Sequence, residues 1–125
     1  MLRKAAACLS LTVIASGTAC AQAPAPVSVV QYSCEQGKSL VAEYFDGPAR
    51  TAANGMPIPG GRVVLTLAGG KRLTLPQTPS GSGIRYANAD ESFVFWSKGD
   101  TAFVEEGPSQ TQTYKGCVGE KKAAR

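Results

Sequence analysis

Apolar residues recur with a period of two from residue 28 onward, and this alternation constrains the fold more than any other feature of the chain. A period of two puts alternate side chains on opposite faces of a β-strand, whereas an amphipathic helix needs a period of 3.6. Glycine, proline and aspartate separate the short alternating runs. The pattern predicts no helix and eight strands, at residues 28–35, 39–46, 62–67, 71–75, 84–88, 92–97, 101–106 and 111–117.

The connections between these strands predict the topology. Four of them are of hairpin length: Gln36–Lys38, Ala68–Gly70, Ala89–Glu91 and Lys98–Asp100. Sequential strands are therefore expected to pair as an antiparallel meander, which can close into a small barrel or flatten into a sandwich. We expect an all-β, eight-stranded antiparallel β-barrel, because hairpins dominate and long crossovers are absent.

One connection, Gly47–Gly61, is long and contains three prolines and four glycines. This composition predicts a surface loop without strand structure. The loop is either a tolerated insertion or a second contact loop, since Met56 and Ile58 would be exposed apolar residues.

Alternation also predicts which side chains face the core. The expected inward residues are Val30, Tyr32, Cys34, Leu40, Ala42, Tyr44, Val63, Leu65 and Leu67. Tyr114 and Cys117 differ in parity on the last strand, so a β-bulge is expected near Gly116. Trp96 is expected to pack in or against the core, with a contact surface as the alternative.

The N-terminal residues resemble a secretory signal. Arg3 and Lys4 precede an apolar run, and small residues follow, which predicts a signal peptide over residues 1–21. Alternatively, Gly17-Thr18-Ala19-Cys20 resembles a lipobox, in which case the signal ends before Cys20 and this cysteine carries lipid. Residues 22–27 are then a Pro/Ala-rich tether. No later segment has the length of a transmembrane helix.

Cysteine and charge limit the chemistry further. The exported domain keeps Cys34 and Cys117, and an oxidising compartment favours a disulfide between them. Two cysteines without histidine exclude an ordinary zinc site, and we expect no metal or cofactor. Residues 27–119 carry eight basic and eight acidic residues, which argues against nucleic acid as a partner. The barrel domain is expected over residues 28–118, followed by a solvated, disordered basic tail over residues 119–125.

Catalysis is not expected. A chain without histidine has no serine triad, so the remaining candidates are the carboxylate pairs Asp90/Glu91 and Glu105/Glu106. Adjacent residues on a strand point to opposite faces, so neither pair converges on one substrate.

Four groups of residues carry a family resemblance. They are Tyr32-x-Cys34, Leu40-x-Ala42-x-Tyr44, Ser82-Gly83-x-x-Tyr86 and Phe95-Trp96-Ser97-Lys98-Gly99-Asp100-x-Ala102, followed by a terminal cysteine. Together they resemble the MliC/PliC family of bacterial inhibitors of c-type lysozyme. The serine turn, residues 80–83, and the lysine turn, residues 98–100, are the specific part of the resemblance.

The resemblance implies an eight-stranded antiparallel barrel in the Gram-negative periplasm, soluble or anchored to the outer membrane by lipid on Cys20. It implies c-type lysozyme as the partner, with Ser82 and Lys98 inserted into the active-site cleft. Gly83, Arg85, Tyr86 and Gly99 would support these two residues. The segment between the two turns and the Gly47–Gly61 loop look longer than is usual in the family.

A different interpretation remains open from the residues alone. A Ser/Gly turn is often a flexible linker, and a Lys-Gly-Asp turn is often an ordinary solvated hairpin. Arg85 and Tyr86 could then be an outward-facing residue and a core residue. The alternative function is an exported β-barrel module that carries an apolar ligand or binds an envelope protein.

Overall fold

The structure is a computed structural model that describes residues 24–122. Within this range, the only helical element is a 3₁₀ turn at Glu35–Gly37. The strands are β1 (Ser28–Ser33), β2 (Ser39–Phe45), β3 (Arg50–Thr51), β4 (Pro57–Ile58), β5 (Arg62–Thr66), β6 (Arg72–Thr78), β7 (Ile84–Ala87), β8 (Phe93–Lys98), β9 (Thr101–Glu106) and β10 (Thr111–Lys122). The predicted signal peptide, Cys20 and residues 123–125 lie outside the described range.

Eight of these strands form a closed barrel in the order β1-β10-β9-β8-β7-β6-β5-β2. Every neighbouring pair is antiparallel, and β1 closes the barrel by pairing with both β2 and β10. The predicted meander barrel is therefore confirmed. Closure gives each of these eight strands two neighbouring strands.

The long connection between β2 and β5 differs from the prediction. It contains the two-residue strands β3 and β4, which pair as a small hairpin with Arg50 opposite Ile58 and Thr51 opposite Pro57. The expectation that this loop has no strand structure was wrong. Period-two alternation could not reveal strands this short.

The last strand also runs further than predicted. β10 continues past Cys117 to Lys122, and its residues from Val118 onward pair with β1. The residues predicted to begin a disordered basic tail thus include four, 119–122, that lie in the sheet. These residues show no apolar alternation, so the sequence pattern could not predict a strand there. Pairing with β1 places them in the sheet.

The expected inward residues form the core or pack against it. Tyr32, Leu40, Ala42, Val63 and Leu65 are buried, and Val30, Cys34, Tyr44 and Leu67 pack against them. The pairing register of β10 with β9 shifts between Tyr114 and Cys117, and both residues are buried. Gly116 has a φ of 62°, so the predicted bulge is confirmed at a residue that tolerates this backbone conformation.

Trp96 lies on the outer face of the barrel, because its neighbours Phe95 and Ser97 face inward. Its ring stacks on Phe103 with the centroids 6.0 Å apart, and it is half-buried. The expectation that Trp96 packs in or against the core was therefore wrong. Aromatic residues occupy both parities of β8, so alternation alone could not assign the face.

Connections in an up-and-down barrel alternate between its two ends. One end, here the turn end, carries the short connections 34–38, 67–71, 88–92 and 107–110. The other, here the open end, carries the connections 46–61, 79–83 and 99–100, together with the first residues of β1 and the last residues of β10.

Bonds across the sheet hold the connection 34–38 at the turn end to the rest of the barrel. The disulfide between Cys34 and Cys117 joins residues 83 positions apart, as predicted. Lys38 donates from Nζ to the backbone oxygen of Thr113 and lies over the Tyr114 ring, 5.0 Å from its centroid. The Tyr114 hydroxyl accepts a hydrogen bond from the Ala68 backbone nitrogen at 3.2 Å.

Among residues 24–122, no helix is long and apolar enough to cross a membrane.

Candidate functional site at the open end

The serine and lysine turns lie side by side at the open end. Ser82 precedes β7, Lys98 ends β8, and these strands pair with Ile84 opposite Ser97. Gly83 packs directly on the lysine turn, because a β-carbon added to it would lie 3.2 Å from Cβ of Lys98 and 2.8 Å from the Ser97 carbonyl oxygen. The two turns therefore form one continuous surface.

The lysine turn is a tight two-residue hairpin, Gly99-Asp100, between β8 and β9. Gly99 has a φ of 59°, which a glycine adopts without steric cost at the first central position of such a turn. The Thr101 hydroxyl donates to the Lys98 carbonyl oxygen at 2.9 Å, and the Gly119 backbone nitrogen donates to the Asp100 carbonyl oxygen at 2.7 Å. The backbone is thus held in place while the Lys98 side chain is exposed.

The serine turn is held by its own first residue. The Ser80 hydroxyl donates to the Gly83 carbonyl oxygen at 2.8 Å and so closes the loop across Ser82. Gly83 has a φ of 72°, which disfavours any residue with a β-carbon. A β-carbon added to Gly81 would have no neighbour within 4 Å, and Ser82 is exposed at the tip.

Arg85 is engaged with its own barrel. Its guanidinium donates to Oγ1 of Thr78 at 2.9 Å and to Oε1 of Glu91 at 3.1 Å, and it lies 5.7 Å from the centroid of the Trp96 ring. These contacts connect β6, β7 and β8 on the outer face. Arg85 is therefore placed to stiffen the strand that follows the serine turn.

Tyr86 faces inward and is 4% exposed. Burial, together with the nearby Tyr32 and Asp46, raises the pKa of Tyr86 to about 12. Its ring lies 5.9 Å from that of Tyr44, centroid to centroid. Tyr86 is therefore part of the wall beneath the serine turn and is not on its surface.

An open cleft of about 460 Å³ lies at this end, lined in part by Tyr32, Tyr44, Tyr86, Asp46 and Gly99. The hydroxyl oxygens of Tyr32 and Tyr44 are 2.7 Å apart and share a hydrogen bond. Burial raises the pKa of each above its ordinary value, so both hydroxyls are neutral and can donate and accept.

Sequence reasoning assigned Tyr32 and Tyr44 to the core and did not identify this cleft. The available signal was a tyrosine at an inward position of each of three strands, with a hydroxyl that needs a polar partner. Among residues 24–122, no group of three or more acidic or cysteine side chains is arranged to hold a metal ion.

Comparisons with known proteins identify the family of this chain. Residues 32–112, more than half of the chain, match a family described as "Membrane-bound lysozyme-inhibitor of c-type lysozyme". A relative from Yersinia enterocolitica named "Membrane-bound lysozyme inhibitor of C-type lysozyme" is 58% identical over 36 residues, which cover 29% of this chain and 29% of the relative. No solved structure matches the chain. The chain therefore belongs to the MliC family of membrane-bound inhibitors of c-type lysozyme.

Proposed function

We propose that this protein inhibits c-type lysozyme by placing the serine turn and the lysine turn in the enzyme's active-site cleft. The observation that carries the proposal is the packing of Gly83 against Lys98, which holds both turns together at the open end. A rigid pair of turns loses little conformational freedom on binding, and this favours affinity.

The chemistry of the target supports this arrangement. A retaining glycosidase has two catalytic carboxyl groups about 5 Å apart, one of which stays protonated to act as the acid. The Lys98 ammonium has three donors and a positive charge, so it can form charge-assisted hydrogen bonds to such a pair. The Ser82 hydroxyl can donate to one carboxyl group and accept from another neighbour. The protein then competes with peptidoglycan for the cleft and performs no reaction itself.

The supporting residues act by position. Gly83 and Gly99 let the two backbones turn and approach each other, while Arg85 ties β7 to its neighbours and Tyr86 fills the wall below. We expect substitutions at these four residues to change the preference among different c-type lysozymes less than substitutions at Ser82 or Lys98.

The cellular setting follows from the same proposal. Peptidoglycan is protected where a lysozyme reaches it, so we place the protein in the periplasm. The Yersinia relative is named as membrane-bound, which supports a place in the envelope. Lipid on Cys20 is the route by which this chain would be anchored, and cleavage after Ala21 would leave it soluble.

The test is the rate at which a c-type lysozyme clears a peptidoglycan suspension, with and without the purified, oxidised protein. We expect near-stoichiometric inhibition. Lys98→Ala should weaken it by roughly 30-fold or more, since removing one member of a desolvated charge pair costs about 2–5 kcal/mol. Ser82→Ala should weaken it about 5- to 10-fold, through loss of one hydrogen bond worth about 1 kcal/mol.

Lys71→Ala is the matched control, because Lys71 is an exposed lysine in a connection at the turn end. If Ser82→Ala and Lys98→Ala inhibit as well as the unaltered protein, the proposed contacts are wrong. If the unaltered, folded protein does not slow clearing, the target is different. Binding of detergent or fatty acid, or of an envelope protein, would then favour the alternative of a ligand-carrying or envelope-binding barrel.

A further inference from the structure

The two turns are too small to account for a tight complex by themselves. Stable protein interfaces bury about 800 Å² on each partner and involve about 20–30 residues a side. Loop 79–83 and turn 99–100 supply only two short segments. If the open end binds lysozyme, as proposed above, other elements at this end must contribute contact area.

The connection between β2 and β5 supplies such an element, here called the arm (residues 47–61). It begins where β2 ends and returns where β5 begins, both at the open end. Its tip is an ordered turn, because the Ala52 backbone nitrogen donates to the Met56 carbonyl oxygen at 2.8 Å. The Gly55 backbone nitrogen donates to the Ala52 carbonyl oxygen at 2.9 Å, and Oδ1 of Asn54 accepts from the Met56 nitrogen at 3.0 Å.

The base of the arm is fixed to the barrel. Gly47 and Gly60 approach so closely that a β-carbon on Gly47 would collide with the Gly60 carbonyl oxygen. The Gln77 backbone nitrogen donates to the Gly61 carbonyl oxygen at 2.8 Å. Arg50 reaches the Gln77 carbonyl oxygen over a longer distance of 3.3 Å. Gln77 lies in the last residues of β6, which lead directly into the serine turn, so the arm and that turn are neighbours.

Exposed apolar side chains are concentrated around this end. Of the four large hydrophobic residues that are at least 40% exposed among residues 24–122, Met56 lies on the arm, while Val27 and Ile84 line the open cleft. The fourth, Val118, lies on β10. Ile84 follows Gly83 directly, so the apolar surface is continuous with the serine turn. Three of these four residues thus belong to elements of the open end, which makes this end the candidate for an interaction surface.

We infer that the arm is a third contact element, which packs against the same lysozyme molecule whose cleft receives Ser82 and Lys98. Met56 at its tip is the principal contact, since an unbranched thioether side chain adapts to an irregular partner surface. The partner is the protein wall beside the cleft and not the catalytic carboxyl groups. The arm therefore governs how long the complex lasts, while the two turns block the reaction.

A charge substitution tests this with little risk to folding. Met56 is 56% exposed, so Met56→Lys should leave the barrel intact while placing an ammonium in the contact. We expect the dissociation constant for c-type lysozyme to rise about tenfold, mainly through faster dissociation. Ala89→Lys is the matched control, because Ala89 is exposed in a connection at the turn end, and its binding should be unchanged.

Removal of the arm is the stronger test. Joining Gly47 to Gly60 leaves a four-residue connection, Asp46-Gly47-Gly60-Gly61, between Phe45 and Arg62, which already pair. We expect this variant to keep complete inhibition at high concentration, because the two turns remain, but to bind at least tenfold more weakly. Unchanged affinity of both Met56→Lys and the shortened variant would overturn the inference while leaving the proposed function standing. Failure of the unaltered protein to bind lysozyme would overturn both.

Discussion

The two ends of this barrel differ in how their side chains are used. Around the connection 34–38 at the turn end, side chains bond to the protein itself: Cys34 forms a disulfide with Cys117 on β10, the Lys38 ammonium lies on Thr113 and Tyr114, and the Tyr114 hydroxyl accepts from Ala68. At the open end, Ser82, Lys98 and Met56 are exposed, and a cleft enters the barrel. Lys38 and Lys98 illustrate the difference, since one is held over an aromatic ring and the other extends from a hairpin.

This difference suggests that stability and recognition are divided between the ends. Changes at the turn end should lower the free energy of unfolding with little effect on lysozyme inhibition. Changes at the open end should weaken inhibition more than they lower the free energy of unfolding. The following predictions test that division.

The largest effect on stability is expected from the disulfide. Replacing both cysteines, Cys34→Ala with Cys117→Ala, should lower the free energy of unfolding by about 2–5 kcal/mol, because the bond restrains a long loop in the unfolded chain. Urea unfolding measures this change. Protein that remains folded should still inhibit lysozyme, and a loss of inhibition without a loss of stability would contradict the division.

Alkaline pH should lower the free energy of unfolding through Tyr86, which lies at the open end. Tyr86 has a pKa of about 12 in the folded protein against an ordinary value of 10.0, so the unfolded chain loses this proton first as pH rises. The stabilisation is complete below pH 10 and is lost progressively between pH 10 and about 12. The loss is about 3 kcal/mol for this residue, at about 1.36 kcal/mol for each unit of pKa difference.

Urea unfolding of the unaltered protein and of Tyr86→Phe at about pH 8 and about pH 11, on either side of the ordinary tyrosine pKa, measures the alkaline effect. The variant cannot ionise at this position, so its midpoint should fall less between the two pH values. If the urea midpoint falls equally in both proteins, groups other than Tyr86 cause the loss of stability at alkaline pH.

Gly37 and Gly83 have the same φ of 72°, so the effects of replacing them can be compared directly. Both Gly83→Ala and Gly37→Ala place a β-carbon in the left-handed region, which should cost about 1–2 kcal/mol at Gly37 and more at Gly83. Only Gly83 has neighbours there, the Ser97 carbonyl oxygen and the Lys98 side chain, whereas nothing lies within 4 Å at Gly37. Inhibition assays should therefore show weaker binding for Gly83→Ala alone. Equal inhibition by the two variants would mean that the contact between the turns is not needed.

The smallest effect is expected at Lys38. Lys38→Met removes one hydrogen bond to a backbone oxygen and the contact with the Tyr114 ring, which should cost about 1 kcal/mol of stability. Thermal unfolding detects this change, with Lys71→Met as the control for loss of an exposed charge. Inhibition should be unchanged, and a decrease would show that the turn end also affects recognition.

Much of the barrel could be predicted because its determinants are local. Alternation on β1, β2 and β5 placed Tyr32, Leu40 and Val63 inward, and short connections indicated hairpins between neighbouring strands. The bulge at Gly116 was predictable for the same reason, since two buried residues of opposite parity require one extra residue between them.

The parts that escaped prediction depend on distant partners. Residues 119–122 are polar and joined the sheet because β1 pairs with them, and Trp96 faces outward because Phe103 and Arg85 lie there. The arm folded as a hairpin against the end of β6, a contact with no local signal. The proposed site residues Ser82 and Lys98 were identified by family resemblance, and their roles remain predictions.

The sequence by itself determined the eight barrel strands, their meander order, the disulfide partners and the inward faces of β1, β2 and β5, because a period of two and short turns act over a few residues. Only the tertiary structure decided that Gly83 lies against Lys98, that three tyrosines meet at an open cleft, and that the arm lies beside the serine turn. The physical reason is that closure of the barrel sets the register between strands far apart in the chain, and this register brings the residues of the open end together.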